Sequence, residues 1–347
     1  MQNEEPKKPS LRGIGAPRRQ AVSVSQEELI KFAALAPDQP LPLVVQPAVD
    51  GVDLLGWLKS NWSTLEPQLL KHGGLLFRGF NVKTAPDFEQ LIVAVSGELL
   101  EYSYRSTPRS QVSGRIYTST EYPADQSIPM HNEMAYTRSW PMKIWFFCLK
   151  AAEQGGETPI ADSRNVYKRI DPAIRERFVD KGGVMYVRNY GKGIDLPWQD
   201  VFQTDDKAEA EQFCRDAGIE YAWKGDDQLR TRQVCQAVAQ HPKTGEMVWF
   251  NQAHLFHISS LHEEVREALM ATFKEEDLPR NTYYGDGSAI ESAVLDEIRQ
   301  VYEQETVAFP WHEGDIMLLD NMLAAHGRMP FVGARKTVVG MAEPMSV

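Results

Sequence analysis

Among the eight histidines of the chain, two stand two residues before an acid, in His131-Asn132-Glu133 and His262-Glu263-Glu264. An imidazole and a carboxylate at this spacing can share one metal ion where the backbone is extended, because side chains i and i+2 of a strand project from one face. With 48 acidic residues among 347, about one such pair arises by chance, so the local setting has to decide. His262 falls where a helix begins, and there i and i+2 diverge. His131 follows Ile128-Pro129-Met130 and precedes a long apolar run, an extended setting in which His131 and Glu133 face one ion.

Two ligands leave an octahedral ion short of a third protein group, and a 2-His-1-carboxylate facial triad takes a second histidine from a distant strand. His326 fits best, since it follows a turn, a buried strand and a polar strand end in Gly314 through Asn321. His254 and His257 have no acid on a shared face, and with His72, His241 and His312 they are expected to be structural. Nine residues beyond His326, Arg335 opens the apolar run Lys336 to Met341. A guanidinium there is costly to bury without a carboxylate, which a cosubstrate can supply. Gly155-Gly156-Glu157-Thr158-Pro159 adds a glycine turn and a hydroxyl able to donate to the same ligand.

The elements that must position these residues read as short strands bounded by Gly, Pro and Asp: 74–80, 143–150, 183–188, 245–251 and 315–320. Trp140 to Lys150 is apolar on both alternating faces, the pattern of a strand buried on both sides. Ser260-x-x-Glu263 and Ser288-x-x-Glu291 fit the capping box, each followed by apolar residues at helical spacing. Residues 1–20 are charged and rich in Pro and Gly and read as a flexible arm. Residues 21–347 read as a single mostly-β domain with helices, in the α+β class, because no linker interrupts residues 75–340. The longest strongly apolar run, Ile144 to Leu149, is far too short to span a membrane, and the N-terminus has no apolar signal core. A cytoplasmic location is therefore expected. Three scattered cysteines support neither a disulfide framework nor a thiolate zinc site, and a net charge of −11 disfavours nucleic acid and anionic membranes as partners. Small-molecule chemistry is what remains.

In their order along the chain, Leu75 to Phe80, His131-Asn132-Glu133, Gly155 to Thr158, Gly314-Asp315 through Asn321, His326 and Arg335 resemble the TauD/TfdA family of iron(II)- and 2-oxoglutarate-dependent dioxygenases. The resemblance implies a double-stranded β-helix, or jelly roll. It also implies Fe(II) on His131, Glu133 and His326, 2-oxoglutarate on Thr158 and Arg335, and O2 as second cosubstrate. The 195 residues from His131 to His326 exceed what a minimal member needs, and the surplus, about 183–287, is expected to form a lid or pocket wall. The run from His131 to Arg164 is similar to the SyrP-like hydroxylases of nonribosomal peptide metabolism. The implied reaction is hydroxylation of an unactivated C–H of an amino acid, free or held on a peptidyl carrier protein, in antibiotic-type biosynthesis, with release of succinate and CO2. Most of the family carries Asp where this chain has Glu133, although the clavaminate synthase branch carries Glu. The interval from His326 to Arg335 is shorter than in taurine dioxygenase, which argues against taurine. A carboxylate at position 133 also argues against halogenation, which needs that metal position for chloride. Desaturation, cyclisation and non-catalytic binding of metal and 2-oxoglutarate stay open as alternatives. Arg105, Arg109 and Arg328 offer cations for a substrate carboxylate.

Overall fold

The apolar run that marks the centre of the sequence becomes the strand Ser139–Lys150, buried at nine consecutive positions from Trp140 to Cys148. It pairs antiparallel with Ile316–Asp320 on one side and Lys336–Ser346 on the other. These three occupy the middle of an eight-stranded sheet ordered Ile30–Ala36, Gln39–Pro47, Gly74–Phe77, Ile316–Asp320, Ser139–Lys150, Lys336–Ser346, Ile116–Thr118, Gln111–Ser113. The computed structural model describes residues 29–347 apart from 38, 102–103, 105–109, 120–121, 192–194 and 226. The arm expected at 1–20, together with Arg105 and Arg109, lies outside the described residues.

Alternation along the strands sends Trp145, Phe147, Leu318 and Val338 to one face, where helices Leu54–His72 and Ala85–Ser96 bury their own apolar stripes. The first helix is capped by the Asp53 carboxylate, which accepts from Leu55 N, and ends at Gly73 in the left-handed region. Ile144, Phe146, Met317, Leu319 and Val339 point to the other face and pack with Ile160 and Ala324. Those two residues belong to a three-stranded sheet ordered Ile128–His131, Ala324–Arg328, Ile160–Asp162. The two facing sheets form the jelly-roll core expected from the sequence. At the rim, Arg78 forks onto Asp315 through Nε at 3.1 Å and Nη2 at 2.7 Å, and Nη2 also donates to Pro310 O at 3.0 Å.

Residues 183–287 build a separate four-stranded antiparallel sheet ordered Glu220–Lys224, Gln228–Cys235, Val184–Tyr190, Arg280–Tyr284. Its inner face packs Tyr186, Tyr190, Cys235 and Tyr284 around Tyr136, Trp249 and Phe256. Both expected helices form nearby, but neither capping box does. The helices run Glu263–Thr272 and Ser292–Glu305, with His262 and Glu291 at their N-caps and no side-chain capping bond. Ser260 instead ends a short 3₁₀ turn and donates to Leu255 O, while Ser288 bonds Asp286 and Lys181. A turn competes for each hydroxyl that the box pattern assigns to a helix.

Two outcomes follow. Arg78→Met leaves the Asp315 carboxylate, 1% exposed, buried without its cation, and is expected to cost about 3 kcal/mol or more in urea unfolding. His254 and His257 are both held near pKa 4, below the ordinary 6.5, chiefly by burial and then by the Arg299 charge, with a bond to Met130 O partly opposing this for His254. Because the unfolded chain binds these protons first, stability is complete above about pH 6.5 and falls as pH drops towards 4. For the fully buried His254 the loss reaches about 3 kcal/mol. Unfolding midpoints measured across that window are expected to flatten in His254→Phe.

Candidate metal centre

The strand Ile128–His131 ends on its histidine, and the strand Ala324–Arg328 carries His326 at its middle. The two histidines are register partners across antiparallel strands, which brings their ring centroids to 4.4 Å. Such an approach leaves no room between the strands. A Cβ at Gly327 would lie 2.7 Å from Ile128 O and 3.1 Å from Met130 Sδ, so glycine is required beside His326. His131 Nδ1 lies 2.8 Å from Pro129 O. A carbonyl only accepts, so Nδ1 carries the proton and Nε2 keeps its lone pair for a metal. Phe146 meets the His326 ring edge-on at 5.0 Å from the large sheet.

Glu133 does not continue the strand as the spacing argument expects. It lies in the turn that follows, beside Met134 at φ 59°, and its carboxylate reaches the histidines because its backbone is held from both sides. Asn321 Oδ1 accepts from Glu133 N at 2.7 Å, while Asn321 Nδ2 donates to Glu133 O and to Pro141 O, each at 2.9 Å. Asn132 Nδ2 donates in turn to Asn321 O at 2.7 Å, and Gln252 Nε2 donates to Asn132 O at 2.7 Å. Glu133 Oε2 thereby comes to 3.9 Å from His326 Nε2. One ligand atom from each of His131, Glu133 and His326 lies within 4.8 Å of the others. Two imidazoles and one carboxylate, buried or half-buried and converging, suit a divalent transition metal.

Beside this group a pocket is lined by Ser119, Ile128, Phe146, Thr158, Arg328, Arg335 and Val339. Arg335 donates through Nε to Gly156 O at 2.8 Å, through Nη1 to Ser119 Oγ at 3.2 Å and through Nη2 to Thr158 Oγ1 at 3.4 Å. Gly156 is needed for that approach, since a Cβ there would stand 2.9 Å from Arg335 Cδ. Burial, and after it the charge of Arg328, pushes the Arg335 guanidinium down to about 10. Two cations in one wall make this an anion pocket.

Arg328, expected as a substrate contact, lines the pocket and is also held by backbone carbonyls. Its Nη1 donates to Tyr122 O at 2.9 Å, and Nη2 donates to Pro123 O and Gln126 O, each at 2.6 Å. The side chain thus ties segment 122–126 to the strand of His326. His254 and His241 are committed elsewhere. His254 Nε2 donates to Met130 O at 2.9 Å, behind His131. His241 Nε2 donates to Asp320 at 3.1 Å, while its Nδ1 accepts from Lys243 N and Thr244 N. Among the described residues, 183–287 contribute none of the side chains lining this pocket, but through Gln252 and His254 they hold the metal loop from behind. Asn321, Gln252 and Trp311, whose indole donates to Thr158 Oγ1 at 3.1 Å, are absent from the list of sequence candidates. Only the polar pair Asp320-Asn321, at the end of a buried strand, signals one of them.

A family model described as taurine catabolism dioxygenase TauD, TfdA family, matches residues 35–342. The dapdiamide synthesis protein DdaC of Enterobacter agglomerans is 43% identical over 277 residues, covering 80% of this chain and 84% of that protein. A clavaminate synthase-like protein of Arabidopsis thaliana is 30% identical over 328 residues, covering 88% and 94%. Among solved structures, PvcB of Pseudomonas aeruginosa superposes with a TM-score of 0.55 at 16% identity over 93% of this chain and 95% of its own. AAD-2, in complex with Mn(II) and N-oxalylglycine, gives 0.51 at 14% identity over 90% and 96%. At these identities the structures speak for the shared fold.

Asn321→Ala removes both side-chain bonds to the Glu133 backbone, together with the one to Pro141 O, and is expected to weaken metal binding about 10- to 100-fold. Titration with Co(II) or Mn(II) checks this, and affinity equal to the parent protein would show that Glu133 is placed by other means.

Proposed function

The chain belongs to the TauD/TfdA family and is an Fe(II)- and 2-oxoglutarate-dependent dioxygenase, and on that premise we propose that it hydroxylates a C–H bond of an amino acid or aminoacyl group in specialised biosynthesis. The observation that carries the substrate class is the 43% identity to a protein named for dapdiamide synthesis. In this reading His131, Glu133 and His326 hold the iron, and Thr158 and Arg335 hold the far carboxylate of 2-oxoglutarate. When bound, Fe(II) and 2-oxoglutarate supply the oxidising power to break an unactivated C–H bond, with succinate and CO2 as co-products.

What the chain itself contributes is placement and polarity. Three ligands on one side leave the opposite side of a metal open to cosubstrates. The planar Arg335 fork matches a carboxylate, a geometry that a lysine ammonium does not reproduce. Phe146, Ile128 and Val339 give the pocket beside the metal group and Arg335 apolar surface. Glu133 fills the position that a halogenase of this kind leaves for chloride, which argues against halogenation.

Incubation with Fe(II), 2-oxoglutarate, O2 and a panel of free and carrier-tethered amino acids is expected to give a +16 product with stoichiometric succinate for at least one substrate. No such product from any amino acid, with succinate still formed, would move the substrate outside this class. Glu133→Ala is expected to abolish product and metal binding together. Arg335→Met is expected to raise the KM for 2-oxoglutarate by about 100-fold, in line with loss of a charge-assisted pair.

A further inference from the structure

The inner end of the pocket is a hydroxyl, Thr158, that is 3% exposed and is addressed by two donors. The Trp311 indole Nε1–H donates to its Oγ1 at 3.1 Å and the Arg335 Nη2–H at 3.4 Å. A threonine hydroxyl has one hydrogen to give and two lone pairs to receive. Both lone pairs are taken here, and neither donor can reverse its role, since an indole N–H and a guanidinium have no acceptor to offer. The one capacity left to Oγ1 is to donate its own proton into the pocket it lines.

The indole is itself pinned through its chain neighbours. Pro310 O accepts from Arg78 Nη2 at 3.0 Å, and His312 N donates to Asp315 Oδ2 at 2.8 Å. The Arg78–Asp315 pair therefore grips the backbone on both sides of Trp311. We propose that Trp311 is a positioning residue that makes Thr158 a donor-only hydroxyl, so that this end of the pocket accepts a carboxylate and rejects the corresponding amide. A carboxylate presents acceptors alone. An amide presents an NH2 where the second oxygen would be, and that NH2 meets a hydroxyl hydrogen or a guanidinium, leaving a buried donor unpaired.

The inference rests on the reading of this pocket as the 2-oxoglutarate site. Its test is equilibrium binding to the Mn(II)-loaded full-length protein, with no turnover, of N-oxalylglycine and of the analogue whose glycine carboxylate is an amide. The parent protein is expected to prefer the acid by about 100-fold or more. Trp311→Phe keeps a ring and removes the N–H, freeing a lone pair that can receive the amide, so the preference is expected to fall about tenfold. Thr158→Val is expected to lower it comparably, and the double variant no further, because both act through one hydroxyl. An unchanged preference in Trp311→Phe overturns the proposal. Where Trp311→Phe does not fold, Thr158→Val decides alone: the acid must lose affinity while the amide does not, and equal losses overturn it. Arg335→Met separates the two readings. Unchanged N-oxalylglycine binding in that variant removes the cosubstrate assignment itself, whereas a loss there with an unaltered Trp311→Phe preference removes the inference alone.

Discussion

The site depends on one side-chain amide. Asn321 accepts from the N–H of Glu133 and donates to its carbonyl, reproducing with a side chain the paired bonds that a neighbouring strand would supply. The strand that carries His131 has already ended before the residue that carries the carboxylate. Asn321 is placed by the buried strand Ile316–Asp320, which lies against the long central strand. The large sheet thus transmits its rigidity to the smaller one through two hydrogen bonds. A buried amide satisfied at both ends is worth more here than its net stability suggests, because each bond also sets a direction.

The three metal-facing residues are legible in the sequence because the chemistry admits so few residue types. The arrangement between them is less so. His-x-Glu suggests a strand that carries both side chains, whereas the backbone turns at Asn132 and Glu133 arrives by a different route. Asn321 and Trp311 are single residues of common type whose meaning lies in partners 188 and 153 positions away, so no local pattern announces them. Ser260 and Ser288 show the opposite failure. Their pattern is right in type, but closer acceptors and a preceding turn claim the hydroxyls. The double-stranded core was legible from the apolar run at Trp140 and the ordered motifs, while the four-stranded sheet of residues 183–287 was legible only as surplus length. Its strands carry ordinary alternation, and what they act on is decided by Gln252 and His254 at the ends of long contacts.

Charge is sorted along the pocket. The metal end presents a carboxylate and two imidazole lone pairs, and the far end presents guanidinium and hydroxyl hydrogens. Arg328 adds to the positive end without being free to swing, since three backbone carbonyls of segment 122–126 hold it. Arg78 and Asp315 take no part in the pocket, but by fixing Pro310 and His312 they steady its polar floor. A ligand negative at one end and chelating at the other is therefore oriented before it makes close contact.

Glu133, His131 and His326 are held by Asn321, by a backbone carbonyl and by strand register, none of which needs an ion. Nitrogen and oxygen donors in an open arrangement favour the later first-row divalent ions over Fe(II). For this protein the identity of the bound metal is therefore a matter of supply: which ion the cell keeps abundant and exchangeable when the chain is made, and which it keeps sequestered.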